Sequence, residues 1–405
     1  KGGDTSSPPS QRSMRGLDWF VFCVADVQTG FGPFVSVYLT TQKWTQIDIG
    51  LILSVAGLVA LASQVPGGML VDAARSERLV AGLAVCVIAM AALTYAAFPV
   101  FPAILAATTF HAVASCVLGP AIAAIALGLV GHAGIGERLG RNARFASIGN
   151  GFAAALMGAC GYFFSARSVF IVTALLLVPT LLALRQIAPR EIVPERAHGG
   201  PTAPRETPAP MLSLFKERSL LILAGCVALF HLANAAMLPL MGSALTSRSS
   251  DWATLMIAVC IVVPQLVVAL IAPWAGAKAK VWGRRPLILA GFAALAVRGT
   301  LFALVSDPAM VVAAQVFDGI SAVALGVMVP LIVADITRGS GRFNSALGVV
   351  GMIAGVGGAL STTLAGAVTD HIGAHFAFVG LASAATLAFV AALLFLPETR
   401  PREMQ

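Results

Sequence analysis

Charge is what this chain of 405 residues has least of: 11% of its residues are Asp, Glu, Lys or Arg, against 58% that are hydrophobic. No soluble domain of that length needs so much apolar material for its core, and a mean hydropathy of +0.89 marks a polytopic membrane protein. Ten-residue segments of alternating polarity are also missing, which argues against a transmembrane barrel. The long continuous runs rich in Ala, Leu, Val and Gly argue for helices.

Other absences narrow the function. No G-x-S-x-G, H-E-x-x-H or paired catalytic aspartates occur, so no enzyme is expected and no cofactor is implied. The six cysteines, Cys23, Cys86, Cys116, Cys160, Cys226 and Cys260, fall in apolar runs without metal-ligand spacing, and read as small packing residues rather than disulfides or ligands. A net charge of +8 invites a nucleic-acid reading, but the cations are spread over short loops and form no single basic face. No N-x-S/T sequon is present, which favours a bacterial inner membrane.

A bilayer core of ~30 Å takes about 20 apolar residues per helix. Runs of that kind give twelve expected spans, at approximately 17–40, 47–70, 79–98, 102–130, 144–166, 168–188, 219–245, 252–275, 286–306, 308–336, 343–368 and 374–396. With a cytoplasmic N-terminus, only Lys43, Arg167 and Arg248 among the loop cations fall outside, which is the expected lysine and arginine bias and puts both termini in the cytoplasm. Residues 1–16 read as a disordered tail rather than a cleaved signal peptide, because the apolar run after them is too long and carries Asp26.

The chain repeats itself. GAKAKVWGRR, from Gly276, is an inner loop whose counterpart is GMLVDAARSER, with Gly68 answering Gly276 and Asp72 answering Lys280. RFAS at 144–147 likewise pairs with RFNS at 342–345. Between the halves, 189–218 is rich in proline and charge, as a cytoplasmic linker should be. Two six-helix bundles, 17–188 and 219–396, follow, with a short cytoplasmic tail at 397–405.

These loops resemble the signature of the major facilitator superfamily, G-x-x-x-D-x-x-G-R-[KR] between helices 2 and 3, often echoed between helices 8 and 9. The second copy keeps Gly276, Gly283, Arg284 and Arg285 with Lys280 in the acidic slot. The first keeps Gly68 and Asp72, with Arg75 where glycine is usual and Ser76 and Glu77 where the basic pair belongs. The resemblance implies an all-α fold of twelve transmembrane helices in two bundles, alternating access, and the loops as gates. Physically, Asp72 suits a helix N-terminus, where the dipole favours an anion, and could latch one conformation. Arg284 and Arg285 read as anchors, either able to replace the other.

In that family helices 1, 4, 7 and 10 line the central cavity, so the polar groups on and beside them are the candidate site. Asp26, Asp318, His111 and His231 are the candidate proton carriers, and Gln28, Asn234, Arg298 and Gln315 the candidate substrate contacts. Asp26 has no lysine or arginine within a helical turn and is the first choice for the coupling proton. Arg298 and Asp318 lie at similar depth on antiparallel helices and are expected to pair. Neither histidine has metal-ligand spacing. Proton-coupled exporters of the family often carry a glycine pattern in helix 5, of which Gly149 and Gly158 keep the first spacing and Tyr162 breaks the next.

The expected activity is proton-coupled export of a small organic molecule or drug. The alternatives are a divalent metal held by Asp26, His111, His231 and Asp318, or uptake of an organic anion clamped by Arg298. The expected partners are a small-molecule substrate, a coupling proton and membrane lipid, without nucleic acid, for a chain acting as a monomer.

Overall fold

The computed structural model describes residues 8–29, 34–200, 210–241, 250–304 and 307–400. Residues 1–7, Arg248, residues 201–209 of the expected linker and 401–405 of the expected tail lie outside them, as does the side chain of Asp26. Among the described residues every regular element is helical.

Helix α1 (Gln11–Thr29) and α2 (Phe34–Thr41) occupy the first expected span, followed by α3 (Gln46–Asp72), α4 (Glu77–Ala97) and α5 (Phe101–Phe163). Then come α6 (Ala166–Leu175), α7 (Leu177–Gln186), α8 (Arg218–Asn234) and α9 (Ser250–Trp282). The chain continues through α10 (Arg285–Leu304), α11 (Pro308–Val323), a π-turn at Ala324–Met328, α12 (Val329–Ile336), α13 (Phe343–His371) and α14 (Ala374–Phe395). Ten helical stretches among the described residues are long and apolar enough to cross a membrane.

Local chemistry sets the starts. Ser10 caps α1 by accepting from the Ser13 N–H at 3.2 Å, so the tail expected to be disordered through residue 16 is helical from Gln11. Thr45 caps α3, accepting from the Asp48 N–H at 3.1 Å while its hydroxyl donates to Asp48 Oδ2 at 2.7 Å. Asp307 accepts from the Ala309 N–H at 2.8 Å ahead of Pro308, whose missing donor costs nothing in a first turn.

Two expected loops are helical. The stretch between expected spans 102–130 and 144–166 belongs to α5, broken only at Gly131, where φ is 63°. The run GAKAKVWGRRP stays in α9 through Trp282, so Lys278 and Lys280 sit on a helix end. Gly283, at φ 91°, makes the actual break, in the left-handed region that glycine tolerates best.

Contacts cluster into two compact units: residues 1–138, 149–208 and 338–344 in the first, and 139–148, 209–337 and 345–405 in the second. An aromatic knot holds the first. Phe170 of α6 stacks on Tyr95 of α4 at 4.8 Å and meets Tyr38 of α2 edge-on at 4.9 Å, and the Tyr38 hydroxyl donates to the Tyr95 carbonyl at 2.8 Å. All three rings are buried, and the polar atom that burial would strand is bonded. In the second unit α10 and the π-turn touch at Gly291, where a Cβ would strike Ala324, and the Ser321 hydroxyl donates to the Gly291 carbonyl at 2.9 Å.

Candidate functional site

Three helices of the second unit bring the polar candidates together. Arg298 of α10 is 1% exposed, and its Nη1 donates to Asp318 Oδ1 of α11 at 2.7 Å and to Asn234 Oδ1 of α8 at 2.6 Å. Antiparallel packing of α10 on α11 places the pair at one depth. The guanidinium lies 5.0 Å from the centre of the Phe302 ring one turn further along, which adds a cation–π contact. Asp318 keeps 23% of its side chain exposed, so the carboxylate is the less buried half of the pair. Gln315, one turn before Asp318, is fully buried beside Cys260, and its amide finds no oxygen or nitrogen partner among the described residues. His231 is half-buried one turn before Asn234, its ring 5.8 Å from Phe230.

The first unit holds His111, whose ring Nε2 lies 3.3 Å from the Ser115 hydroxyl, and Gln28, which is half-buried on α1. Asp26 is on α1, but its side chain lies outside the described residues. Gly149 brings α5 against α1, since a Cβ there would strike the Phe22 carbonyl, whereas Gly158 faces open space.

The loop residues separate sharply. Asp72, the last residue of α3, accepts through Oδ1 from the Asn344 backbone N–H at 3.1 Å and from its Nδ2 at 2.9 Å. Asn344 is in the first turn of α13, so the carboxylate meets a helix N-terminus, and its Nδ2 also donates to the Ala197 carbonyl at 3.2 Å. Gly68 and Gly276 are buried where helices pack.

Arg284 and Arg285 are not equivalent, which corrects the expectation that either replaces the other. Arg284 is 2% exposed and uses its whole fork: Nε donates to Asp335 Oδ2 at 2.8 Å, Nη2 faces Asp335 Oδ1 at 3.5 Å, and Nη1 donates to the Ala279 carbonyl at 2.8 Å. Among the described residues the Arg285 side chain reaches the Leu393 carbonyl, at 2.6 Å, and no carboxylate. Glu398 then closes the turn, accepting from the backbone N–H groups of Arg284 at 2.9 Å, Arg285 at 3.0 Å and Arg400 at 2.8 Å. A Cβ on Gly283 would collide with that carboxylate, a second reason for glycine there.

Asp335, Asn344 and Glu398 were not among the sequence candidates. Asp335 carried a signal, an acidic residue at the end of an apolar run, and Asn344 lay inside the repeated RF-x-S element. A further buried ion pair in the first unit, Arg138 with Asp18, also escapes a reading that takes Arg138 as a loop cation.

Among the described residues, long apolar helices joined by buried ion pairs have the build of a membrane carrier. The sequence matches the Major Facilitator Superfamily over residues 19–246 and 223–405. Two uncharacterized MFS-type transporters from two strains of Mycobacterium tuberculosis are each 39% identical over 400 residues, 97% of this chain and 94% of the relative. Among solved structures, the human organic anion transporter MFSD10 superposes with a TM-score of 0.68 at 14% identity, covering 95% of this chain and all 100% of that one. The proton:xylose symporter XylE superposes with a TM-score of 0.69 at 16% identity, covering 96% of each chain. At those identities the two structures speak for the fold alone. The chain belongs to the Major Facilitator Superfamily and is an integral membrane protein, a secondary transporter.

Proposed function

We propose that the protein exports a small organic molecule in exchange for protons, from a bacterial inner membrane with both termini in the cytoplasm. The observation that carries this reading is the asymmetry of the Arg298–Asp318 pair: an almost fully buried guanidinium, neutralised by a carboxylate that keeps part of its surface uncovered. A proton arriving at Asp318 removes the charge that holds Arg298, so protonation and local rearrangement are linked. Asn234 then remains as the partner of Nη1. Asp26 is assigned the other proton site, on its isolation in the sequence, with His111 and His231 as relays and Gln28, Asn234 and Gln315 as substrate contacts. The Gly149 and Gly158 spacing favours export over uptake.

Asp72 and the Arg284–Asp335–Glu398 turn are assigned gating. Asp72 ties the end of α3 to the first turn of α13, a bond weak enough to break and remake in a conformational cycle. Among the described residues no three His, Cys, Asp or Glu side chains gather as a ligand set, and the side chain of Asp26, one of the four ligands of the metal alternative, lies outside those residues. The organic-anion alternative needs an available guanidinium, and Arg298 is buried with Nη1 already occupied. Purified protein in proteoliposomes, given an imposed pH gradient and a panel of metabolites, drugs and metals, tests the proposal. Organic substrate must move uphill only while the gradient lasts, and flux indifferent to the gradient overturns proton coupling.

A further inference from the structure

The first unit contains a cavity of about 380 Å³ between α2, α3, α4 and α5, with two unlike walls. Ala56, Gly57 and Ala60 of α3 form a flat apolar wall, and a Cβ built on Gly57 would meet nothing within 4 Å. Opposite, Thr108, His111 and Ser115 follow one another along one face of α5. Thr108 is committed to the Tyr95 hydroxyl and to the Ile104 carbonyl, at 2.7 Å, and thereby anchors this wall to the aromatic knot behind it. The His111–Ser115 pair and Gln64 of α3 supply the hydrogen-bonding chemistry of the lining. No Asp, Glu, Lys or Arg is among the described residues that line it.

We propose that this cavity binds an uncharged, flat, largely apolar molecule with a single hydrogen-bonding group, its ring against Ala56, Gly57 and Ala60 and its polar group at His111, Ser115 and Gln64. An ionised ligand would leave water for a lining that offers it no counter-charge, a penalty hydrogen bonds alone do not offset. One polar group on the ligand matches a lining that carries Gln64, Ser115 and His111 beside its apolar wall. The small residues at 56, 57 and 60 leave open space beside α3 that a ring can occupy. The inference rests on the reading of the chain as a small-molecule carrier and narrows its substrate class.

The test is equilibrium binding to the full chain in lipid nanodiscs, with no gradient present. The probe is the neutral dye N-phenyl-1-naphthylamine, and its control is 8-anilino-1-naphthalenesulfonate, which shares the rings and adds a fixed anion. The neutral dye is expected to bind saturably, and Gly57→Leu, which fills that space without a backbone clash, to weaken it by about tenfold or more. Gly50→Leu on the same helix, also facing open space but outside the cavity, should leave binding unchanged. The anionic dye should bind wild type no better than it binds Gly57→Leu. Peptide-resolved maleimide labelling of wild type supplies a readout that needs no variant: the neutral dye should slow reaction at Cys116, which lines the cavity, and not at Cys226. Equal dye affinity in wild type and Gly57→Leu, saturable competition by the anionic dye, or unprotected Cys116 each overturns the inference. Proton-driven flux could survive that result, whereas dye binding without such flux would uphold the site and overturn the coupling.

Discussion

Replacing Asp318 by Asn tests the buried pair most sharply. Removing one partner of a buried ion pair costs about 3–5 kcal/mol, because the remaining charge stays buried and unpaired. Three features reduce that figure here: Asp318 is partly exposed, Asn234 still accepts from Nη1, and the Phe302 ring lies 5.0 Å from the guanidinium. About 2 kcal/mol is therefore expected for Asp318→Asn. Arg298→Met combined with it should cost less than the sum of the two singles, since the double variant leaves two neutral side chains. The protein carries its own reporters, as Cys23, Cys226 and Cys260 are buried thiols away from the cavity that react when the fold opens. If opening breaks the pair before its transition state, a loss of about 2 kcal/mol speeds thiol labelling at fixed temperature ~30-fold. Labelling of Asp318→Asn at the wild-type rate, or a double variant as labile as the sum of the singles, would show that the contact carries no energy.

Other consequences are as direct. Asp72→Asn keeps an acceptor for Asn344 but removes the charge at the α13 N-terminus, so turnover should fall about two- to fivefold with substrate affinity nearly intact; weaker affinity at an unchanged maximal rate would remove the latch. Arg284→Lys cannot reproduce the fork to Asp335 and Ala279, and should destabilise by about 2 kcal/mol, against under about 0.5 kcal/mol for Arg285→Lys. Equal thermal stability of the two variants would restore the view that these arginines are interchangeable anchors. Outside the membrane, burial pushes the Glu191 carboxyl up, but bonds from the Ser10 N–H and the Ser13 and Ser10 hydroxyls, with Arg190 nearby, outweigh it and hold it below the usual carboxylate range. A depressed folded value means the tie is fully present above the ordinary glutamate range and is lost as pH falls through the lowered one. Hydrogen exchange at residues 10–14, corrected for its intrinsic pH dependence, should therefore rise in that acid window in wild type and show no such step in Glu191→Gln.

Much of the fold could be read from composition and periodicity, because a bilayer allows few solutions for an apolar chain. The boundaries failed where the helices outrun the bilayer. Gly131 and Gly283 set the breaks, while the basic residues around them stay helical, so hydropathy places the ends of α5 and α9 poorly. Arg298 and Asp318 could be paired by counting depth, since both are costly alone inside a membrane. Asn234 as the shared second partner could not, as its approach depends on how α8 packs on α10. Glu398 was hidden for a similar reason: a carboxylate beyond the last span looks like a tail residue until the turn at Gly283 brings three backbone donors to it. The cavity beside Gly57 has no sequence signature, because it is made by side chains that are small rather than by any that are distinctive.

The central claim, transport coupled to protons through carboxylates inside the membrane, is tested most directly by uphill flux in proteoliposomes under an imposed pH gradient, comparing wild type with Asp26→Asn and Asp318→Asn. Wild type should concentrate substrate against its gradient and stop when the pH gradient is collapsed. Each variant should lose uphill flux while still binding substrate and exchanging it across the membrane. Uphill accumulation at the wild-type rate by both variants, or wild-type accumulation that survives collapse of the pH gradient, would contradict the account.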